Sequence, residues 1–224
     1  MREHFDVLKT VELFSGIGPG EMDDMLDCMG AQIKRYRKGS ILLLAGEKPV
    51  YVGVVIAGEL HIAREDRDGN RSLIAVVGPG HVFAEALCCS GAEESPVTVT
   101  AGASSLVMLL KFSRLLSTCP NSCVFHTRLI QNMLELISNK NLMLQNRMEI
   151  VSLKSVRAKV LLYLDEFTKK QGNEITIPLN REQLADFLCV DRSALSHELA
   201  RMKKDGLIDY RKNRFIMIQS SGGN

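Results

Sequence analysis

The sequence predicts an α+β fold built from three consecutive parts, and three observations predict it. Short apolar runs separated by glycine-containing turns fill residues 31–112. A helical pattern without such breaks follows Pro120 for about thirty residues. Two short amphipathic patterns and a basic strand pair then occupy residues 175–218. With 224 residues, the chain is long enough for two domains of ordinary size.

The first part is predicted to contain short helices followed by strands. Residues 6–29 have the composition of short helices interrupted by Ser15–Gly20. Beyond them, turn signals such as Asp68-Gly69, which is typical of a hairpin, separate the apolar runs. These runs are residues 41–45, 51–57, 60–63, 73–77, 97–101 and 106–112. Strands at this spacing predict an all-β sandwich or barrel.

The long helix is predicted to carry two apolar stripes. The first consists of Ile130, Leu134, Ile137, Asn141, Leu144, Met148 and Val151. The second consists of Leu129, Met133, Leu136 and Met143. Because two apolar faces need two covering surfaces, we expect one stripe to pack on the barrel and the other on a second copy of the chain. Asn141 would then lie in a coiled-coil seam, whereas burial of the whole helix within one chain is the alternative.

The C-terminal pattern predicts a strand, two helices joined by a tight turn, and a hairpin. Asn180 is suited to cap the first of these two helices, and Gln183 to complete a capping box. Asp191 is suited to cap the second helix, whose inner stripe is Leu195, Leu199 and Met202. With a preceding amphipathic helix at Ser152–Lys170, this is the pattern of a winged helix-turn-helix.

The outward face of the second helix carries short or cationic side chains that can donate to base edges or phosphates. They are Arg192, Ser193, Ser196, His197 and Arg201, and the hairpin adds Arg211, Lys212 and Arg214. From Ser152 onward the chain has 13 basic and 9 acidic residues, a net charge of +4, and the remainder carries −2. The sequence therefore predicts binding to double-stranded DNA. A helical hairpin with a merely solvated polar face is the competing interpretation.

Over nearly its whole length the chain resembles the Crp/Fnr family of bacterial transcription regulators. The motifs are LFSGI at Leu13–Ile17, GPGHVFAEA at Gly78–Ala86 and LCVDRSALSHELARMKKDGLI at Leu188–Ile208. The resemblance implies a cyclic-nucleotide-binding-like β-roll (a double-stranded β-helix or jelly roll) at 1–119 and a dimerisation helix at 120–151. A Crp-type winged helix-turn-helix would occupy 152–219, before a disordered tail at 220–224. It also implies a homodimer on palindromic sites, with RNA polymerase among its partners.

By resemblance, Arg192, Ser193, Ser196 and His197 fall on base-reading positions. Arg192 is expected to contact guanine bidentately, which is worth roughly 1–3 kcal/mol of discrimination. Ser193 stands where better-known members have glutamate, and His197 where they have arginine. These two departures predict a different DNA half-site.

The resemblance also places a candidate effector site between β-roll and dimer helix. Glu85 and Ser95 match a nucleotide-binding cassette, but its phosphate-binding arginine is replaced by Glu94 or a gap, and a carboxylate repels phosphate. We therefore expect a small-molecule effector other than cyclic AMP. Its predicted site residues are Glu85, Leu87, Ser95, Val97, Val99, Leu136, Met143 and Leu144. A purely structural Glu85 that accepts hydrogen bonds from backbone amides is the competing interpretation.

A thiol- or metal-responsive regulator is the alternative function. It would use the adjacent pair Cys88 and Cys89, or Cys119 and Cys123, and it requires a lowered thiolate pKa. An iron–sulfur cluster needs four thiolates within reach, and the N-terminal part has only Cys28, so a cluster is not expected. Lone histidines are weak candidates for haem ligands. These histidines are His61, His81 and His126. The sequence predicts no metal site and no bound cofactor.

Enzyme activity is a remote alternative, because the chain lacks a phosphate loop, a His-Glu-x-x-His motif, a nucleophile elbow and paired CxxC motifs. We therefore expect no catalytic residues. No apolar run approaches the roughly 18 residues of a membrane span, and the N-terminus has no signal-peptide core. These features predict a cytoplasmic protein that does not bind membranes.

Overall fold

A computed structural model of the chain describes residues 4–66, 68–116 and 124–218. It divides into two compact units, residues 1–140 and 141–224. Each unit has its own hydrophobic core. Within the described ranges, no helix combines the length and the apolar character needed to cross a bilayer.

The first unit begins with helices α1 (Phe5–Leu8), a 3₁₀ turn (Glu12–Phe14) and α2 (Pro19–Met29). Pro19 is the first residue of α2, so the expected interruption ends at Gly18 and not at Gly20. This difference has a simple cause, since proline at the first helical position forfeits no intrahelical hydrogen bond. Gly30 ends α2 in the left-handed conformation, with φ of 60°.

Two four-stranded antiparallel sheets form the β-roll. The strands are β1 (Gln32–Tyr36), β2 (Ile41–Leu43), β3 (Tyr51–Ala57), β4 (Leu60–Glu65), β5 (Arg71–Val77), β6 (Val82–Phe83), β7 (Thr98–Ala101) and β8 (Ser105–Lys111). One sheet has the order β1-β8-β3-β6 and the other β2-β7-β4-β5. All six predicted strands are present, and the hairpin turn between β4 and β5 lies at Asp68-Gly69 as expected, where Gly69 has φ of 81°.

The sheet that contains β3 and β8 is covered on both faces. Toward the second sheet, side chains such as Val55, Phe83 and Leu109 form one buried cluster. On the opposite face, Val54 and Met108 pack in a cluster shared with α1, α2 and the first half of the long helix. This double coverage explains why β3 is buried at five consecutive positions instead of alternating.

Short helices α3 (Glu85–Cys89) and α4 (Phe112–Leu116) accompany the roll, and α5 (Val124–Ser152) is the long helix. The second stripe of α5 packs on the roll through Leu129, Met133 and Leu136, as expected for a stripe that covers the barrel. Ile130 and Ile137 of the first stripe also pack against this cluster, so the two stripes are not fully divided between two surfaces as the sequence predicted. Met143 lies in the second compact unit, and its side chain is 71% exposed.

The second unit contains α6 (Val156–Gln171), β9 (Glu174–Thr176), α7 (Arg181–Leu188), α8 (Arg192–Lys204), β10 (Ile208–Arg211) and β11 (Arg214–Met217). Its sheet has the order β10-β11-β9. Helix α6 begins at Val156 and not at Ser152, because Ser155 caps it by accepting a hydrogen bond from the Ala158 amide at 3.0 Å. Ser152 is instead the last residue of α5.

The caps of the helix pair follow the sequence in one case and depart from it in the other. The Gln183 amide donates to Asn180 Oδ1 and the Asn180 amide to Gln183 Oε1, both at 2.9 Å, so the predicted capping box is confirmed. Asp191 precedes α8 but accepts no capping hydrogen bond from it. Its Oδ1 instead accepts from the Ser193 hydroxyl at 3.4 Å.

Candidate nucleic-acid interface and effector region

Helix α8 separates a buried stripe from a polar face. Leu195, Leu199 and Met202 are completely buried in the core of the second unit. The polar face comprises the five predicted DNA-contacting side chains of this helix, all exposed: Arg192, Ser193, Ser196, His197 and Arg201. Because residues three and four apart share a face of a helix, burial of the one stripe fixes the outward direction of the other.

Arg157 on α6 attaches α8 at two points, and sequence reasoning did not single it out. Its Nε lies 2.5 Å from Glu198 Oε1, and its Nη2 lies 2.7 Å from Asp205 Oδ2. These carboxylates raise the pKa of Arg157, the Glu198 hydrogen bond contributing most. Sequence spacing gives no signal for such a contact, because the two partners lie on separate elements.

The turn between α7 and α8 is held by contacts that the sequence does not show. Cys189 adopts the left-handed conformation with φ of 50°, a place usually taken by glycine. The Val190 amide donates to the Ala185 carbonyl at 3.0 Å, as in a helix-ending turn. Buried Lys159 donates from Nζ to the Leu188 carbonyl at 2.9 Å, which places a cation at the C-terminal end of α7.

The hairpin of β10 and β11 is the wing. Arg211 and Arg214 pair across its two strands, and Lys212 lies in the connecting turn. The side chains of all three are exposed. The structure therefore carries two exposed basic groups within the second unit, one on α8 and one on the wing.

In the β-roll, the two cassette-like residues already have protein partners. Glu85 is only 5% exposed, and its Oε1 lies 2.7 Å from Lys140 Nζ. Ser95 is buried and donates its hydroxyl hydrogen to the Val97 carbonyl at 2.7 Å. Ala84, immediately before Glu85, has φ of 61°, a strained value for a residue with a Cβ.

Within the first unit, the other predicted effector residues lie on two sides of the sheet that contains β3 and β8. Leu87 packs beside Val99 in the cluster between the sheets, whereas Leu136 belongs to the cluster on the opposite side of β3 and β8. Met143 and Leu144 are exposed, Leu144 at 61%. The sequence did not show that Leu87 and Val99 face one side of this sheet and Leu136 the other, because spacing along a strand does not show which sheet face a side chain occupies.

Neither thiol of the adjacent pair has the lowered pKa that a reactive cysteine needs. Burial raises the pKa of Cys88 to about 11, and its Sγ donates to the Pro49 carbonyl at 3.6 Å. Burial and the Glu85 carboxylate raise the pKa of Cys89. The second predicted pair, Cys119 and Cys123, lies outside the described residues.

The three histidines considered for haem have unrelated surroundings. His61 Nε2 lies 3.3 Å from Glu59 Oε1, and His81 Nδ1 lies 3.0 Å from the Pro79 carbonyl. His126 is buried. Within residues 4–66, 68–116 and 124–218, no three side chains of His, Cys, Asp or Glu are grouped to hold a metal ion.

Two family models match the chain. The model of the cyclic nucleotide-binding domain matches residues 33–121, and that of the Crp-like helix-turn-helix domain matches residues 158–221. Together they cover more than half of the sequence. The first match contains the two sheets and α3, and the second contains α7, α8 and the wing.

Comparison with known proteins gives distant relatives over most of the chain. It is 21% identical over 203 residues to the transcriptional activator protein FnrL of Cereibacter sphaeroides, covering 84% of this chain and 77% of that protein. It is 22% identical over 201 residues to the cyclic AMP receptor protein of Thermus thermophilus, covering 90% and 89%. The solved structure of CLP, the c-di-GMP-responsive global regulator of Xanthomonas campestris, has a TM-score of 0.53 at 16% identity and covers 91% of this chain and 100% of that one. This likeness of structure, at such low identity, concerns the fold alone. The members of the Crp/Fnr family are DNA-binding transcription regulators that carry an effector-binding domain and are not enzymes. The two family models, together with the similarity to FnrL and to the cyclic AMP receptor protein, show that the chain belongs to this family.

Proposed function

We propose that this regulator binds a palindromic DNA site as a homodimer and responds to a small-molecule effector other than cyclic AMP. The observation that carries the proposal is the polar face of α8, whose exposed side chains lie opposite a completely buried stripe. Arg192, Ser193, Ser196 and His197 are the proposed base contacts. Arg201 and the wing residues Arg211, Lys212 and Arg214 are the proposed phosphate contacts.

A site selection experiment tests the DNA-binding part. Random duplexes are passed over the purified protein, and the retained sequences are read. The proposal expects an inverted repeat whose half-sites lie about one helical turn apart, roughly 34–36 Å. At this spacing the two recognition helices enter successive major grooves on the same face of the duplex. Recovery of sequences without a common motif would contradict sequence-specific recognition.

The homodimer is supported by the apolar surface of α5 beyond the β-roll. Leu144 and Met148 belong to the first stripe and are 61% and 68% exposed. Asn141, between them and the roll-facing residues, is exposed as well. Apolar side chains at heptad spacing on an exposed helix are typical of a coiled-coil surface, and a second copy of the same helix fits them.

The effector region is proposed to lie around α3, with Glu85, Leu87, Ser95 and Val97 as its residues. Cyclic AMP is disfavoured because Glu85 is already paired with Lys140, while Glu94 adds a second carboxylate to the neighbouring loop. Of the three proteins compared above, two have names that refer to nucleotides, cyclic AMP for one and c-di-GMP for the other. Membership of the family therefore does not define the effector.

Native mass spectrometry of the purified protein tests the dimer and the effector together. A dimer with added mass supports both parts and gives the mass of the bound molecule. Tight binding of cyclic AMP in calorimetry would overturn the effector assignment, and a monomer would overturn the dimer. We place this protein in the cytoplasm, where bacterial DNA is found, and propose RNA polymerase as a partner at the promoter.

Among the described residues, no observation favours the thiol-responsive alternative, and Cys119 and Cys123 lie outside them. The raised pKa values of Cys88 and Cys89 oppose the thiolate chemistry on which a redox switch depends.

A further inference from the structure

Arg181, the first residue of α7, makes contacts that recognition by α8 does not explain. Its guanidinium carbon lies 5.0 Å from the ring centroid of Tyr210 and 5.7 Å from that of Phe215. These two rings are paired across β10 and β11, with centroids 5.9 Å apart. The planar cation therefore contacts both strands of the wing through their aromatic residues.

Arg181 also contacts the turn of the wing. Its Nη2 donates to the carbonyl oxygen of Lys212 at 3.3 Å. Lys212 has φ of 56°, a left-handed value that is unfavourable for a residue with a long side chain. Positive φ values occur at this position of two-residue hairpin turns, and the Arg181 hydrogen bond adds a contact from outside the hairpin to this turn.

The next residue of the turn is tied to the same side. Asn213 donates from Nδ2 to the Ile177 carbonyl, and the Ile177 amide donates to the Asn213 carbonyl, both at 3.0 Å. The segment just before α7 thus holds the wing turn through Ile177, and α7 itself holds it through Arg181. Lys203 of α8 also contacts the wing, since its Nζ lies 5.8 Å from the centroid of the Tyr210 ring and 2.5 Å from Asp209 Oδ1. Arg181 differs from it in that its guanidinium bonds to the turn itself, at the Lys212 carbonyl.

The environment of Arg181 is not that of an arginine that reads DNA. Its Nη1 is fully buried, without a hydrogen-bond partner in the part of the chain that the structure describes. Burial lowers the pKa of Arg181. The other basic side chains of the interface, Arg192 and Arg211 among them, are exposed.

We propose that Arg181 is a positioning residue for DNA binding, which clamps the wing turn so that Arg211, Lys212 and Arg214 face the phosphates in one fixed arrangement. This inference rests on the proposed DNA-binding function. It assigns to Arg181 the conformation of the wing, and not a contact with DNA.

The first test replaces the clamp while keeping the charge. Arg181→Lys retains a cation but loses the planar group that covers the two rings and bonds to Lys212. We expect about a tenfold loss of affinity at low salt for selected and random duplexes alike, with a shallower salt dependence, because wing contacts are made to phosphates. Arg147→Lys is the matched control, since Arg147 stacks on Phe187 at 5.1 Å and that ring belongs to α7, not to the wing.

A double-mutant cycle separates positioning from direct contact. In a background with Arg211→Gln, Lys212→Gln and Arg214→Gln, positioning predicts that Arg181→Lys changes affinity less than twofold, because no wing charge remains to be positioned. An equal loss in both backgrounds means that Arg181 itself binds DNA, and it overturns the proposal. Wild-type protein that binds no duplex at all overturns the proposed function, and with it the role of Arg181.

A readout without DNA guards against a variant that merely folds poorly. If the clamp holds the turn, Arg181→Lys accelerates hydrogen exchange at the Ile177 amide, which donates to Asn213, while the Gln183 amide of the capping box stays protected. Tyr210→Leu removes the nearer of the two rings that the guanidinium contacts, together with the ring contact of Lys203, and leaves Arg181 in place. Positioning predicts the same loss of DNA affinity for this variant, and unchanged affinity contradicts it.

Discussion

The Nζ atom of Lys140, on α5, lies 2.7 Å from Oε1 of Glu85, the first residue of α3. The lysine is half-exposed, whereas the carboxylate is almost completely buried. Lys140 Nζ also lies 3.4 Å from the Val82 carbonyl. A single side chain of the long helix therefore neutralises the carboxylate at the centre of the proposed effector region.

Lys140→Met should destabilise the first unit, because it leaves a buried carboxylate unpaired. We expect a loss of about 1–3 kcal/mol in the free energy of unfolding, the lower end applying because the lysine is half-exposed. Urea unfolding followed by circular dichroism measures it. Lys140→Arg is the control that keeps the charge, and adding Glu85→Gln to Lys140→Met should recover most of the loss. Equal midpoints for Lys140→Met and the wild type would show that the pair contributes no stability.

Arg192→Ala should remove sequence discrimination while leaving general affinity for DNA. The expected loss on the selected site is about 1–3 kcal/mol, or roughly 5- to 150-fold, with little change on scrambled duplex. Fluorescence anisotropy on both duplexes measures it. Arg211→Gln provides the contrast, because loss of a phosphate contact weakens both duplexes and reduces the salt slope by about one. An equal loss of affinity for both duplexes in Arg192→Ala would show that Arg192 does not contact a base.

The double substitution Leu144→Glu and Met148→Glu should convert the dimer to a monomer. Four carboxylates would then face one another across the seam, and the apolar area that drives association would be lost. Sedimentation equilibrium measures the mass. Ser138→Glu is the control, since this exposed position of α5 lies outside both apolar stripes. A doubly substituted protein that remains dimeric would place the interface elsewhere.

Cys88 should be nearly inert to iodoacetamide at pH 8. With a pKa of about 11, its thiolate fraction there is on the order of one in a thousand. Because burial raises the folded-state pKa above the unfolded value, the contribution of this thiol to stability is complete below about pH 8.5 and is lost as the pH rises toward 11. Peptide mass spectrometry of a Cys89→Ser variant follows the alkylation. Rapid labelling at pH 8 in the folded state would restore the thiol-switch alternative.

The features that the sequence predicted well are those set by near neighbours. The capping box of Asn180 and Gln183 depends on a spacing of three residues. The buried stripe of α8 depends on spacings of three and four, and each of the six short apolar runs is a strand. Strands β1 and β6 were missed, because β1 contains few apolar residues and β6 has only two residues.

The features that the sequence did not show depend on distant partners. Glu85 and Lys140 are 55 positions apart. Arg181 meets Tyr210 only after α7 and the wing have folded together, so its basic side chain was indistinguishable from any other on the surface. The same reason applies to the effector lining, where alternation along a strand does not show which of two covered faces of a sheet a side chain will occupy.

The two ion pairs of Arg157 have a mechanical consequence. Glu198 lies within α8 and Asp205 at its end, so Arg157 of α6 contacts this helix at two positions along its axis. Contacts at two positions along a helix restrict its rotation relative to the contacting element more than a single contact does. A rotation of α6, the element that follows α5 in the chain, would therefore change the direction of the polar face of α8 through contacts at two positions of that helix.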